Sequence, residues 1–280
     1  MKSVIKFSLL FSSLLISATV ATAQQVKVMT YNIRLDTPVD SINQWPKRTQ
    51  KVVDLIRKYD PDILGVQEAI HHQLMDLVKN LPQYDYVGVG RDDGKTKGEY
   101  SAILYKKNKF SVLQQGTFWL SETPDVPGSK SWDAAITRVA SWAKLRDNKT
   151  KKDFLSINTH FDHIGKEARR NSADLLKKKA NELGKTLPVI ITGDFNCTRS
   201  DPPYSTIMDP QGIKLTDPLP GEPVGTFCGF KVNGIECRAI DYLFCTEHWT
   251  ASDYNVITDN DGKYYPSDHL PVMTTFTLKK

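Results

Sequence analysis

The sequence lacks the signatures of several common enzyme classes. It holds no Gly-x-Ser-x-Gly elbow and no His-Glu-x-x-His, P-loop or Gly-x-Gly-x-x-Gly motif in the required setting. Cysteine is scarce, and all four lie in the last third, without a Cys-x-x-Cys pair or a zinc-like spacing: Cys197, Cys228, Cys237 and Cys245. A serine hydrolase, a zinc protease and a nucleotide-binding enzyme therefore have no support in the sequence.

Long hydrophobic runs are absent except at the start of the chain. The uncharged stretch 7–20 follows two lysines and leads to Ala21-Thr22-Ala23, a small-residue pattern after which a signal peptidase cuts. We therefore predict a signal peptide over 1–23 and export to the periplasm or beyond the cell. The run is too short for a spanning helix, and no later stretch is longer, so we predict no membrane span.

An excess of charge is also absent. The net charge of +5 falls to +3 once Lys2 and Lys6 are removed with the leader. Such a surface permits an anionic substrate but does not indicate a nucleic-acid coat. Because no repeat or long linker divides residues 24–280, we predict a single domain with no obligate protein partner.

The cysteine spacing leaves one question open. In an oxidising compartment, Cys228 and Cys237 either form a disulfide across the turn-like segment 231–234 or remain buried thiols. Spacing alone does not choose between these alternatives.

The hydrophobic pattern predicts many strands and few helices. Helical periodicity covers 48–59, 70–81 and 167–183. Apolar or alternating segments predict strands at 26–32, 63–66, 86–90, 101–105, 110–114, 138–145, 154–160, around 189, and at 226–230, 238–245 and 272–278. This arrangement favours two packed sheets with helices outside them.

Polar side chains stand at the ends of these predicted strands: Asn32, Glu68, Asn158 with His160, Asp194 with Asn196, Asp241, and Asp268 with His269. Each alone is more simply a turn former or a helix cap. Residues two apart on a strand share a face, so the ends together predict one polar site.

The motifs that carry these residues resemble, in order, those of the endonuclease/exonuclease/phosphatase superfamily. They are Met29-Thr-Tyr-Asn-Ile33, Val66-Gln-Glu68, Asn158-Thr-His160, Gly193-Asp-Phe-Asn196, Ile240-Asp-Tyr-Leu243 and Ser267-Asp-His269. The resemblance implies an α/β fold of the deoxyribonuclease I type: a four-layer α/β sandwich of two packed mixed β-sheets flanked by helices. It also implies metal-dependent cleavage of phosphate esters, and the spacing is most similar to the deadenylase-like branch and its secreted bacterial relatives.

Metal and base roles follow from the chemistry of this reaction. Mg²⁺ prefers hard oxygen ligands, so we predict Glu68, Asn32 and Asp268 as metal ligands, with Mn²⁺ as a substitute and the number of ions open. Asp194 is the predicted general base that activates water, although a turn or a metal-ligand role is an alternative. The resemblance pairs Asp241 with His269.

The remaining predicted residues contact the phosphate. His269 is a donor, His160 steadies a phosphate oxygen or the leaving group, and Asn196 points its amide N–H₂ at the phosphate. Asn158 and Arg138 complete the predicted substrate-binding set, with Arg138 equally open to a surface salt bridge. Asp162 and His163 are candidates for orienting His160.

We expect a secreted divalent-metal-dependent phosphoesterase acting on a nucleic acid or a small phosphorylated molecule. Nuclease-like hydrolysis of a phosphodiester is favoured. The alternatives are a phosphatase or phosphodiesterase acting on a sugar, inositol or lipid phosphate, a non-catalytic binding module, and a thiol hydrolase using Cys197, for which no motif supplies a base. The loops 91–97 and 121–132 are expected to form the rim that selects the substrate.

Overall fold

The computed structural model of the protein describes residues 24–279. The predicted signal peptide lies outside these residues. Within them, no helix has both the length and the apolar character needed to cross a bilayer.

Twelve strands and four α-helices make up the described chain. The strands are β1 (Gln25–Asn32), β2 (Ile63–Ala69), β3 (Tyr84–Val87), β4 (Tyr100–Lys106), β5 (Phe110–Trp119), β6 (Val139–Asp147), β7 (Asp153–His160), β8 (Val189–Asp194), β9 (Leu215–Thr216), β10 (Asp241–Thr246), β11 (Trp249–Val256) and β12 (Val272–Leu278). The helices are α1 (Trp45–Tyr59), α2 (His71–Asn80), α3 (Lys166–Gly184) and α4 (Pro202–Met208), with a 3-10 helix at Pro38–Asn43.

The strands form two six-stranded mixed sheets. The first has the order β11-β12-β1-β2-β4-β3, and the second has the order β5-β6-β7-β8-β10-β9. Each sheet contains a central parallel pair, β1 with β2 and β7 with β8. The carboxyl ends of each parallel pair therefore meet at one edge of their sheet.

Three layers of apolar side chains hold the molecule together. Alternation along β1 directs Val28 between the sheets and Met29 toward the helices. On the outer side of the first sheet, Val52 and Ile56 of α1 and Leu74 of α2 pack against this layer. On the outer side of the second sheet, α3 and α4 contribute a separate buried cluster. Helices, sheet, sheet and helices give the four-layer sandwich, which confirms the predicted fold class.

Several element boundaries differ from the predictions. The predicted strand 226–230 is a loop with isolated bridges from Phe227, and the strand expected from 238 begins at Asp241. Glycines at 225, 229 and 234 interrupt any regular ladder there. β3 covers 84–87 rather than 86–90.

Several elements, among them β11 and α4, have no counterpart among the predictions. β11 is an edge strand whose mostly exposed residues carry little hydrophobic pattern. α4 spans only seven residues and opens with two prolines. Such short or polar elements give a weak periodic signal.

The four cysteines divide into two pairs of different state. Cys228 and Cys237 form a disulfide, whereas Cys197 and Cys245 are buried free thiols. The structure thus resolves the alternative that spacing left open.

Candidate active site

A cavity of about 510 Å³ lies where the carboxyl ends of the central strands of both sheets converge. Its walls contain Arg34, Leu35, Glu68, Glu99, Ile136, Arg138, His160, His163, Asp194, Asn196, Phe227, Arg238, Ile240, Asp268 and His269. Seven of the predicted site residues line it directly.

Strand pairing explains why residues distant in sequence meet here. In the parallel pair β7/β8, His160 is opposite Asp194, and in the antiparallel pair β8/β10, Asp241 is opposite Asp194. The register of three neighbouring strands therefore places these three side chains side by side.

Asp194 occupies the centre of the polar cluster and is 1% exposed. Its Oδ2 accepts a hydrogen bond from Asn32 Nδ2 at 2.9 Å and lies 3.4 Å from His160 Nε2 and 3.7 Å from His269 Nε2. Burial raises the pKa of Asp194, and the nearby Asp241 carboxylate raises it further. A carboxyl poised in this way can take up a proton from a bound water.

His269 is held by a second buried carboxylate. Its Nδ1 lies 2.8 Å from Asp241 Oδ2, and the two side chains are almost fully buried. Burial lowers the pKa of His269, but the carboxylates of Asp241 and Asp194 outweigh it and hold the pKa well above its ordinary value. The imidazole is therefore charged, and it can donate from Nε2.

His160 has the opposite electrostatic setting. Burial and then the Arg138 guanidinium keep its pKa well below the ordinary value, so the ring is neutral. Asn196 Nδ2 donates to His160 Nε2 at 3.1 Å and to the Phe161 carbonyl at 3.0 Å. The prediction was that this N–H₂ group points at the phosphate. In the structure both of its contacts are instead made within the protein.

Two carboxylates of the cavity wall lie beside a single guanidinium. Glu68 and Asp268 share one guanidinium, that of Arg34, at 3.7 and 3.9 Å. Arg34 already makes two hydrogen bonds of 3.0 Å to Asp40. Burial raises the pKa of Asp268, a sign of unrelieved negative charge. Carboxylate oxygens are hard donors, and two of them beside one guanidinium leave negative charge that suits a divalent cation.

A second set of donors reaches the same region. One ligand atom each from Glu68, His160 and Asp194 lies within 4.8 Å of the others, and the same holds for Asp194, Asp241 and His269. The described acidic and histidine side chains therefore lie close enough to share a metal ion.

Asn32 connects these groups rather than facing the cavity. Its Nδ2 donates to Glu68 Oε1 at 3.0 Å as well as to Asp194, and its Oδ1 accepts from the backbone N–H of Arg34 at 2.9 Å. The oxygen predicted to bind metal thus accepts one hydrogen bond from the backbone and keeps a second lone pair, so its role as a metal ligand stays a prediction. Asn32 also fixes the distance between the metal-side carboxylate and the predicted base.

Three cavity residues have left-handed backbone conformations, which are unusual outside glycine. The φ angles are 57° at Arg34, 65° at Glu68 and 48° at Asn196. At Glu68 the pairing of β2 with β4 is irregular, between Gln67 and Ala69. Such conformations cost about 1–3 kcal/mol each and persist where surrounding contacts over-determine them. The chain bends here to turn each side chain into the cavity.

Arg138 is buried in the cavity wall at 5% exposure, which rules out the surface salt bridge considered for it. Its Nη2 donates to His163 Nδ1 at 3.1 Å, while Glu99 and Asp162 lie 3.9 Å away. Nε and Nη1 have no hydrogen-bond acceptor in the described chain. A buried donor without an acceptor costs about 1–3 kcal/mol, so a ligand oxygen would be stabilising here.

Two further predicted residues lie elsewhere. Asn158 is fully buried between the sheets, where Nδ2 donates to the Val66 and Ala102 carbonyls and Oδ1 accepts from Gln67 and Thr192. It shares a face with His160, as alternation requires, but one strand repeat deeper. Substrate contact by Asn158 is therefore wrong, because its amide ties the two sheets together.

Asp162 organises a loop and does not orient His160. Its carboxylate accepts four backbone N–H bonds of 2.7–3.2 Å, two from residues 135–136 and two from 164–165. His163, its neighbour, contacts Arg138 instead.

Seven cavity residues were not predicted as site residues: the apolar Leu35, Ile136 and Ile240, and also Arg34, Glu99, Phe227 and Arg238. Arg34 directly follows the motif Met29–Ile33, and Phe227 and Arg238 flank the disulfide. That proximity to motifs and cysteines was the available signal. Glu99 precedes a strand without a motif of its own, so no signal pointed to it.

A model of the endonuclease/exonuclease/phosphatase family matches residues 29–269, nearly all of the described chain. The chain belongs to this family. Its members are hydrolases that act on phosphate-ester bonds, and the polar strand ends of this chain, from Asn32 to His269, all lie within the matched residues.

Among solved structures, a family member from Bacteroides thetaiotaomicron is 40% identical, with a TM-score of 0.87, over 92% of this chain and 100% of that one. A mannosyl-6-phosphatase from the same organism is 41% identical, with a TM-score of 0.83, over 90% of this chain and 99% of that one. Nocturnin of Drosophila melanogaster is 24% identical over 84% of this chain, which spans 42% of that longer relative.

Proposed function

We propose that this protein is a divalent-metal-dependent phosphatase that hydrolyses the phosphate monoester of a small sugar. The observation that carries the proposal is Arg138, a residue of the cavity wall whose buried Nε and Nη1 lack acceptors within the described chain. A guanidinium fork matches phosphate oxygens, and a monoester dianion needs more positive charge than a diester.

The size of the cavity supports a small substrate. A volume of about 510 Å³ falls within the range of small-molecule sites, about 300–1,000 Å³. The 41% identity with a mannosyl-6-phosphatase over almost the whole of both chains supports a sugar as the leaving group.

The chain's own residues supply proton transfer and charge stabilisation. Ionised Asp194 removes a proton from the attacking water, and its raised pKa brings it closer to the working pH. The His269 imidazolium donates to a phosphate oxygen while Asp241 holds it in place. Arg138, in the wall of the same cavity, neutralises charge on the other oxygens.

The metal requirement is part of the proposal. Glu68 and Asp268 would hold the ion, Mg²⁺ or Mn²⁺, and Asn32 would keep Glu68 in place through its amide. When bound, the ion supplies charge neutralisation at the non-bridging oxygens of the phosphate.

Hydrolysis of a phosphodiester, the activity favoured by the sequence alone, is the second candidate. The similarity to Nocturnin and to a CCR4-type exoribonuclease subunit, at 23–24% identity, supports this second candidate. Export from the cell remains a prediction that accompanies either activity.

Initial rates on a substrate panel test the proposal. With Mg²⁺ in excess, we expect mannose 6-phosphate to be hydrolysed with a kcat/KM at least tenfold above those of bis(p-nitrophenyl) phosphate and of a short oligoadenylate. A preference for either diester would reject the monoesterase proposal and favour the second candidate.

A further inference from the structure

A disulfide-closed hairpin forms one wall of the cavity. This hairpin, residues 225–238, carries Phe227 and Arg238 opposite one another, with backbone hydrogen bonds of 2.9 Å in both directions. The disulfide Cys228–Cys237 closes the hairpin next to this pair. A Cβ added at Gly225 would lie 2.3 Å from Cys237 Cβ, so the chain passes too close to the disulfide for any side chain.

The hairpin is fixed to the segment 268–270, which carries Asp268 and His269. The backbone N–H of Cys228 donates to the Asp268 carbonyl at 3.0 Å, and that of Leu270 donates to the Thr226 carbonyl at 2.7 Å. The Phe227 ring centroid lies 5.0 Å from that of His269. Phe227 is therefore beside the group that donates to the phosphate.

Arg238 differs from the other arginines of the cavity. Arg34 is paired with Asp40, and Arg138 has carboxylates nearby and a bond to His163. Within residues 24–279, every hydrogen bond of Arg238 is made by its backbone, and it is exposed. Its guanidinium is thus available to a ligand at the cavity mouth.

We propose that Phe227 and Arg238 form the subsite for the leaving group, a neutral sugar ring. The ring's C–H face packs on Phe227, and Arg238 donates its two parallel N–H groups to neighbouring hydroxyls. The inference rests on the proposed sugar phosphatase activity and adds the residues that select the sugar. Ile240 and Leu35 add apolar surface to the same cavity.

A sugar fits this pair better than a second anionic group does. A single exposed cation in water gains little from charge alone, about 0–1 kcal/mol. The planar fork of arginine gains its selectivity from paired acceptors at fixed spacing, which adjacent hydroxyls provide. An aromatic wall adds nothing for a phosphate or carboxylate but buries the apolar face of a sugar.

The disulfide gives this subsite its order before substrate arrives. Within the hairpin only Thr226 and Cys228 are buried, so little apolar packing stabilises its shape. A covalent link between the two arms restricts their movement, which lowers the entropy lost when a ligand binds.

Steady-state kinetics on two monoesters test the inference. Mannose 6-phosphate presents a sugar leaving group, and p-nitrophenyl phosphate presents one without hydroxyls. For Arg238→Gln we expect KM for mannose 6-phosphate to rise about tenfold with kcat little changed, and both constants for p-nitrophenyl phosphate to stay within twofold. Arg170→Gln, on the exposed face of α3, is the matched control with no effect.

The variant Arg238→Lys shows whether Arg238 acts through its paired N–H donors or through its positive charge alone. We expect it to behave as Arg238→Gln on mannose 6-phosphate, because lysine keeps the charge but lacks the paired donors. Full rescue by lysine, or an equal loss on both esters, would overturn the inference, since Arg238 would then act through charge or on the phosphate.

The hairpin itself is tested by replacing both cysteines with serine. The double variant Cys228→Ser with Cys237→Ser should raise KM for mannose 6-phosphate more than for p-nitrophenyl phosphate, and an equal change on both would count against the subsite. Wild-type protein inactive on all sugar phosphates would reject the proposed function and this subsite together. Wild-type activity with Arg238→Gln unaffected would reject the subsite alone.

Discussion

His269 Nδ1 and Asp241 Oδ2 lie 2.8 Å apart, and this contact between the two side chains is buried. The two residues are 28 positions apart and belong to different segments, the start of β10 and the loop before β12. Their contact fixes both the charge and the direction of the imidazole. Removing the carboxylate therefore changes the chemistry of the histidine without removing it.

Asp241→Asn should lower the pKa of His269 and weaken activity at alkaline pH first. In the wild type the charged imidazole persists to a pH well above its ordinary pKa, so a rate that needs it declines only as the pH rises through that raised value. In the variant the decline moves to lower pH. A pH–rate profile of kcat, with an NMR titration of the His269 ring, measures the shift; an unchanged alkaline limb would contradict it.

The same pair predicts a pH-dependent contribution to stability. Because the folded-state pKa of His269 is raised, the stabilisation is fully present below the unfolded pKa of about 6.5 and is lost as pH rises through the folded value. Asp241→Asn should thus lower the free energy of unfolding most near pH 6, by about 3–5 kcal/mol. Urea unfolding at pH 6 and pH 9 checks the difference.

Glu68→Gln should weaken metal binding. The substitution removes one of two carboxylates that share a single guanidinium, so the remaining site has less charge to hold a divalent cation. Chelated wild-type protein should gain thermal stability on addition of Mg²⁺ or Mn²⁺, and the variant should gain clearly less at the same concentration. Glu222→Gln, at an exposed position, serves as control; equal shifts in all three proteins would contradict the assignment.

Asp162→Asn should loosen the cavity wall that carries Ile136 and Arg138. Burial raises the pKa of Asp162, but four backbone N–H bonds outweigh this and lower it. Its stabilisation is therefore present above the unfolded pKa of about 3.9 and is lost as pH falls through the lower folded value. We expect a loss of about 1–3 kcal/mol at pH 7 that shrinks below about pH 4.

Urea titrations of wild type, Asp162→Asn and the exposed control Asp174→Asn test this loop anchor. A destabilisation that is the same at pH 7 and pH 3 would show that the carboxylate charge is not what holds the loop.

Arg138→Lys should reduce phosphomonoester hydrolysis more than diester hydrolysis. Lysine keeps a positive charge but loses the planar guanidinium, whose Nε and Nη1 lack acceptors within the described chain. We expect kcat/KM to fall about tenfold or more on a monoester and by less on a diester. The ratio of the two kcat/KM values, compared between wild type and variant, measures this difference. Equal losses would mean that Arg138 acts through structure alone.

Much of the site could be predicted because strand ends carry it. Glu68, Asp194, Asp241, Asp268 and His269 lie in short motifs whose order and polarity survive any uncertainty in element boundaries. Alternation also placed Asn158 and His160 on one face correctly. Alternation does not show how deep in the protein a residue lies, however. Asn158 and His160 are two residues apart on one strand, yet the Asn158 amide lies between the sheets and the His160 imidazole lines the cavity.

The remainder depends on features that a single sequence does not display. Arg34, Glu68 and Asn196 enter the cavity through left-handed backbone conformations, and the amide directions of Asn32 and Asn196 follow from neighbours brought together only by folding. Similarly, Arg238 gains its position from a hairpin whose disulfide the spacing left undecided. Tertiary contacts, not local pattern, set these details.

Turnover of mannose 6-phosphate by Asp194→Asn, with Mg²⁺ saturating, tests the central claim most directly. The account predicts a kcat about 10²–10⁴-fold below wild type. It also predicts a folded variant, because asparagine matches aspartate in volume and still offers one acceptor oxygen to the two donors, Asn32 Nδ2 and Asn196 N–H, that contact Asp194. Near wild-type kcat in a folded Asp194→Asn variant would contradict it.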